Sequence, residues 1–208
     1  MSFILYVMTY QIIKRIIDIL GAVLGITAML VIFPFIALAI KLDSKGPILI
    51  KLDRISEGKI IKAYKFRSMK TGSHDLKYTE LAHLNERSEG PFFKIKNDPR
   101  LTKTGKILRK FRLDEFPQLI NVIKGELSLI GPRPHEQEET KNYPPEYKGL
   151  LNAKAGVTGL SQVNGASSLK FLKELELDKY YIENQSFWLD VKIIAKTLAI
   201  LLFDTTAV

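Results

Sequence analysis

The sequence predicts a helix-rich α/β protein: an N-terminal, proline-broken membrane helix fused to one small domain that carries amphipathic helices at the membrane interface. Three observations predict it. Residues 19–40 are 22 consecutive residues without a charge, about 33 Å of helix at ~1.5 Å per residue, enough for a hydrocarbon core. Residues 47–55 and 59–69 read as two strands around Glu57-Gly58, the second alternating in a half-buried pattern. Beyond them, helical stretches are parted by glycine and proline, with no internal repeat and no low-complexity tract.

The apolar block comes first. It starts late and runs into Lys41-Leu42-Asp43 without a small-residue cleavage pattern, so a secretory signal matches poorly. Pro34 has no N–H and clashes with the carbonyl of Leu30, which predicts a kink there. Lys14 and Arg15 precede the block, and Lys41, Lys45, Lys51 and Arg54 follow it. Cytoplasmic flanks retain positive charge, and here both flanks are basic. A helix that enters and leaves by one face satisfies both; a kinked span crossing once is the alternative. Residues 1–13 are uncharged but too short to cross, and lie in the interface with Tyr6 and Tyr10 as anchors. The expected division is residues 1–42 for the membrane segment and 43–208 for the domain.

In the domain, residues 70–97 read as a long polar loop. A basic helix over 105–112 and a second over 114–124 follow, then a turn-rich stretch to Pro134. From Leu169 the chain reads as helix to its end. Trp188, Val191, Ala195, Leu198 and Leu202 form a stripe there, with Lys192 and Lys196 largely off it. Such a stripe suits an interfacial helix or a surface helix packed on the core.

Composition narrows the chemistry. Lys plus Arg number 31 against 22 Asp plus Glu, a net charge of +9, which favours anionic partners: nucleic acid, phosphorylated substrates or an acidic membrane. There is no cysteine, hence no disulfide framework, thiolate metal site or cysteine nucleophile. Phosphate-cradling glycine loops, dinucleotide fingerprints and nucleophile elbows are all missing from the sequence. No aromatic ladder interleaves the basic residues, so nucleic acid is not an expected partner.

Asp114-Glu115 is the acidic pair that stands out. It follows Lys103, Lys106, Arg109, Lys110 and Arg112 and precedes Pro117, so it sits near a helix N-terminus. The helix dipole and nearby cations keep a carboxylate ionised there, which suits a nucleophile or a Mg²⁺ ligand. An N-cap aspartate with a first-turn glutamate explains the pair equally simply. In Gly131-Pro132-Arg133-Pro134 two prolines fix the backbone around one arginine, aiming a phosphate fork or merely shaping a loop. Lys65 and Arg67 are either a solvated face or further phosphate ligands. Asp98-Pro99-Arg100 reads as a turn, and His74, His83 and His135 as surface residues without metal-ligand spacing.

Taken in order, the motifs resemble the bacterial sugar transferases, the small monotopic phosphoglycosyl transferases. They are Lys14-Arg15-x-x-Asp18 before the apolar block, Tyr64-Lys65-Phe66-Arg67-Ser68-Met69, Asn97-Asp98-Pro99-Arg100-Leu101-Thr102, and Leu113-Asp114-Glu115-Phe116-Pro117-Gln118-Leu119-Ile120-Asn121-Val122. Gly131-Pro132-Arg133-Pro134, Gly156-Val157-Thr158-Gly159-Leu160 and Tyr180-Tyr181 with Asn184, Ser186 and Asp190 complete the series.

The resemblance implies a re-entrant helix broken at Pro34 and a cytoplasmic catalytic domain on the bacterial inner membrane. It implies transfer of a sugar-1-phosphate from a UDP-sugar to polyprenyl (undecaprenyl) phosphate, with release of UMP. Asp114 is then the nucleophile that forms a covalent phospho-sugar, Mg²⁺ bridges Asp114, Glu115 and the diphosphate, and Lys65, Arg109, Arg133 and Asp190 are substrate-binding positions. Against that pattern Ala155, Ser161, Ala166 and Arg112 depart from the commonest residues, at positions that shape the sugar or uridine site. The rival readings are a membrane-tethered basic protein that binds acidic lipid or nucleic acid, and a family member without turnover.

Overall fold

In the computed structural model residues 2–87, 89–165 and 168–203 are described, with side chains from residue 8 onward. Ala166 and the side chain of Tyr6 lie outside the described residues. The chain begins with α1 (Ser2–Asp43), then a hairpin of β1 (Leu49–Ser56) and β2 (Lys59–Phe66). After a long loop come α2 (Lys103–Lys110), a 3₁₀ turn (Leu113–Gln118), α3 (Leu119–Lys124) and β3 (Ser128–Ile130). The last part holds α4 (Gln137–Thr140), β4 (Gly156–Thr158), α5 (Leu160–Val163), α6 (Phe171–Glu183) and α7 (Phe187–Phe203).

The hairpin forms where alternation places it, antiparallel from Leu49 opposite Phe66 to Ser56 opposite Lys59. Glu57 and Gly58 both have positive φ, 51° and 69°, the two-residue turn whose twist matches the strands. The second sheet was not visible in the sequence. β3 and β4 pair in parallel, with Ser128 opposite Gly156 and Ile130 opposite Thr158, and three residues are too few to display a period. Glycine is required at this crossing, because a Cβ on Gly156 would lie 2.0 Å from the backbone nitrogen of Gly131.

α1 lies along the domain rather than projecting from it. Arg15 donates to the carbonyls of Val122 and Ile123 at 2.7 and 2.9 Å, closing the C-terminus of α3. Buried Asp18 accepts from Ser128 Oγ and from the Leu129 amide at 2.8 Å. Ala22 packs with Leu119, Val122, Leu127 and Ala155. Further along, Met29, Ile36 and Ile40 share a cluster with Phe66 and Leu108. The opposite face of α1 is bare: Leu20, Leu24, Val31, Phe35 and Leu42 are 65–78% exposed.

Two expectations need correction here, one about α1 and one about Arg67. Pro34 does not break it; the helix is continuous from Ser2 to Asp43 with the proline inside. A proline forfeits one backbone hydrogen bond, and Phe33 and Ile36 on either side of it pack on the same cluster, so both halves are held in place. Arg67 is neither solvated nor a phosphate ligand. It is buried and donates to the carbonyls of Ser44, Lys45 and Pro47 at 2.6–2.8 Å, fixing the chain where α1 ends.

The C-terminal helix is two helices, separated at 184–186. In α7 the stripe of Trp188, Val191, Ala195, Leu198 and Leu202 faces outward, while Asp190 and Ile193 are buried against the domain. α7 is thus a surface helix packed on the core through Asp190 and Ile193, and its stripe forms a second exposed apolar face.

Candidate active site

The site is built at the junction of α2 and the 3₁₀ turn. Arg112 takes a left-handed conformation, φ 55°, which ends α2 and reverses the chain into Leu113–Gln118. Leu113 and Phe116 then pack with the cluster that α1 covers, while Asp114 and Glu115, in the first turn, line a cleft of about 790 Å³. Lys65 from β2, Arg109 and Arg112 from the α2 end, and Arg133 line the same cleft. Thus the predicted residues Asp114, Glu115, Lys65, Arg109 and Arg133 are brought together.

The two carboxylates differ. Lys65 forms an ion pair with Glu115. Asp114, only 7% exposed, makes no ion pair among the described residues. Burial pushes the Asp114 carboxyl above the usual carboxylate range and the Glu115 charge adds to this, against opposition from Lys65 and Arg109. Burial acts the same way on Glu115, but Lys65 and then Arg133 outweigh it and hold that carboxyl low. The pair is therefore one neutralised carboxylate beside one poorly solvated, uncommitted carboxylate.

Each cation is held by a distinct device. Arg109 Nε donates to Ser68 Oγ at 3.2 Å. The Arg133 amide donates to Asp178 Oδ2 at 3.1 Å, and the Gly156 amide donates to the Pro132 carbonyl at 2.9 Å. The rigid turn is thus tied to both α6 and β4.

Asp190 does not join the site. It accepts from Tyr10 and Tyr181 hydroxyls at 2.8 Å and from Lys14 Nζ at 3.2 Å. A buried carboxylate needs such partners, and here they pin α1 to α6 and α7. The same packing answers for Lys14, Arg15 and Asp18, which fasten α1 to the domain.

Sequence reading missed the far wall. His135 is buried and stacks on Phe92, ring centroids 4.3 Å apart. Glu136 receives Lys77 at 2.7 Å, Tyr78 at 2.8 Å and Arg54 at 3.2 Å. Asp98 and Arg100 form a buried two-pronged pair at 2.6 and 2.9 Å. Only the last had a local signal, an acid and a base two residues apart; the others meet across long sequence separations.

Among the described residues no group of three or more His, Cys, Asp or Glu gathers to cage a metal. The donors at the dyad still suit Mg²⁺, which favours oxygen ligands and is commonly held by one or two carboxylates plus substrate phosphates. The uncommitted Asp114 carboxylate supplies such a donor.

A basic cleft with a poorly solvated carboxylate at its floor thus lies against a bare apolar helix long enough to cross a membrane. The chain belongs to the bacterial sugar transferase family, whose pattern matches residues 9–204. It is 38% identical over 204 residues to the galactosyl transferase CpsE of Streptococcus agalactiae serotype III, covering 97% of this chain and 45% of that protein. It is 38% identical to the UDP-glucose:undecaprenyl-phosphate glucose-1-phosphate transferase of Escherichia coli K12, covering 90% of this chain and 40% of that one. With EpsL of Bacillus subtilis 168, described as an uncharacterized sugar transferase, identity is 36% over 90% of this chain and 86% of that protein. The chain spans less than half the length of the first two.

Proposed function

We propose that this protein transfers a sugar-1-phosphate from a UDP-sugar to polyprenyl phosphate and releases UMP. The observation that carries the reading is the Asp114 carboxylate: buried, without an ion pair among the described residues, and facing a cleft with Lys65, Arg109 and Arg133. An Asp114 oxygen attacks the β-phosphorus of the UDP-sugar. The bond from that phosphorus to the bridging oxygen breaks, and UMP leaves with the electron pair. A polyprenyl phosphate oxygen then attacks the aspartyl phospho-sugar, breaking the bond to Asp114 and giving the polyprenyl-diphosphate sugar. Two in-line displacements through one carboxylate predict ping-pong kinetics.

The cleft residues act by position and charge. Lys65 keeps Glu115 ionised; Arg133 and Arg109 meet the diphosphate. Asp114 and Glu115 are the residues that would hold Mg²⁺, which would supply neutralising charge to the phosphates. At Ala155, Ser161, Ala166 and Arg112 this chain has its own residues, so the identity of the sugar is not taken over from relatives.

The protein acts at the bacterial inner membrane with its catalytic domain on the cytoplasmic face. The bare faces of α1 and α7 enter the lipid. Because α1 touches the domain from Tyr10 to Asp43, a span that left the domain on one side would have to drag charged residues into hydrocarbon. We therefore favour an unbroken helix that lies along one face of the membrane, with both of its ends on the same side.

The deciding experiment is nucleotide release from a panel of UDP-sugars, with purified protein, Mg²⁺ and polyprenyl phosphate in detergent. UMP that needs Mg²⁺ and vanishes in Asp114→Asn supports the reading. UDP release, or silence from folded protein across the panel, overturns it.

A further inference from the structure

One fully buried carboxylate beside the cleft takes no part in the chemistry above. Glu174, on α6, is 1% exposed. Arg87 Nη2 lies 3.0 Å from its Oε2, and Arg133 Nε and His135 Nε2 each lie 3.8 Å from its Oε1. The two arginines are not equivalent. Arg87 is committed: its Nη2 also donates to the Leu169 carbonyl at 2.7 Å, and its guanidinium lies 4.7 Å from the Phe92 ring centroid. Arg133 meets Glu174 by one edge only, as an ion pair at 3.8 Å without a hydrogen bond. Its Nε faces Glu174, its two Nη groups make no hydrogen bond among the described residues, and its side chain is 35% exposed in the cleft.

We propose that Glu174 is a positioning residue that orients Arg133, so that the free Nη edge of the guanidinium meets the diphosphate of the nucleotide sugar. The proposal rests on the reading of the cleft as a nucleotide-sugar site. A guanidinium is a planar fork, and fixing its Nε edge fixes the direction of the opposite edge. Without that anchor the strongest remaining opposing charge on Arg133 is that of Glu115, ahead of Glu139 and Asp178. An unanchored Arg133 would be drawn towards the dyad and away from the ligand. The turn itself does not depend on Glu174, because Asp178 holds the Arg133 amide and Gly156 holds the Pro132 carbonyl. Loss of Glu174 therefore frees a side chain and leaves the backbone in place.

The test uses the full chain in detergent and measures UDP binding by calorimetry, with KM and kcat for the accepted UDP-sugar. The variants are Glu174→Gln, Glu174→Asp, Arg133→Gln and the combinations. Glu174→Asp keeps a negative charge for Arg87, and so preserves the fold should Glu174→Gln unfold, but withdraws the carboxylate by one methylene. The expected result is UDP binding weakened by about tenfold in either Glu174 variant, a raised KM with a smaller change in kcat, and no further loss on adding them to Arg133→Gln. Unchanged UDP binding in folded Glu174→Asp overturns the proposal, and so do losses that simply add to that of Arg133→Gln. Wild-type protein that binds no UDP overturns the functional reading itself, and the positioning role with it.

Discussion

Asp114 and Glu115 are adjacent in sequence and opposite in circumstance, and the difference is testable. On the proposed mechanism Asp114→Asn removes the nucleophile without unmaking an ion pair, so UMP release should fall by about 10³-fold or more while thermal unfolding stays near wild type. The reaction needs Asp114 ionised, and burial holds its carboxyl above the usual range. The acid limb of kcat/KM should therefore lie above that of an ordinary aspartate. Lys65 opposes that rise, so Lys65→Met should move the limb to still higher pH; a limb that stays put would refute the assignment. Asp178 offers a stability test of the same kind. Burial pushes its carboxyl up to about 6, so the folded state favours the protonated form. That contribution is fully present below the unfolded value near pH 4 and is lost as pH rises through about 6. Asp178→Asn should raise the melting temperature at pH 8, by at most about 3 kcal/mol of stability, and change it little at pH 4.

At the scale of elements, what the sequence showed depended on the range over which each signal was written. The β1–β2 hairpin was legible because alternation and a Glu57-Gly58 turn are local. The dyad's place at the start of a helical turn was legible from Asp114, Glu115 and Pro117 together. The parallel β3–β4 pair was not, since Ser128 and Gly156 meet through backbone atoms that no side-chain period records. Asp190 misled because a buried acid beside tyrosines has the same letters as a substrate ligand. Arg67 misled in the same way, and only its contacts with the carbonyls after α1 show what it does. The seam between α1 and the domain carries its own prediction. Asp18→Ala strips the Leu129 amide and the Ser128 hydroxyl of their acceptor. It should cost about 1–3 kcal/mol, read as a lowered melting temperature in detergent with the dyad's residues unchanged. Gly156→Ala should be worse, because its new Cβ meets backbone rather than a side chain that can move.

For the whole molecule, two bare apolar faces on one body decide how it associates with lipid. α1 contributes Leu24 and Phe35, and α7 contributes Trp188 and Leu202. Burial of apolar surface does not weaken with ionic strength as charge attraction does. High salt should therefore leave the protein in the membrane pellet and detergent should release it; release by salt alone would favour a merely electrostatic attachment. Cysteines placed at Ser2 and Ser44 should be labelled from the same side of the membrane. Labelling from opposite sides would overturn the one-face arrangement and leave the chemistry standing.

Phe116 directly follows the acidic pair and packs in both clusters that α1 covers. The turn that carries Asp114 therefore has α1 as its underside. A shortened form made for solubility, with α1 cut away, would uncover Phe116, Leu119 and Val122 beneath Asp114 and lose the reaction along with the lipid. Inhibitor screens and crystallisation trials on such a fragment would be sampling a damaged floor. The economical reagent is the intact chain in a lipid nanodisc.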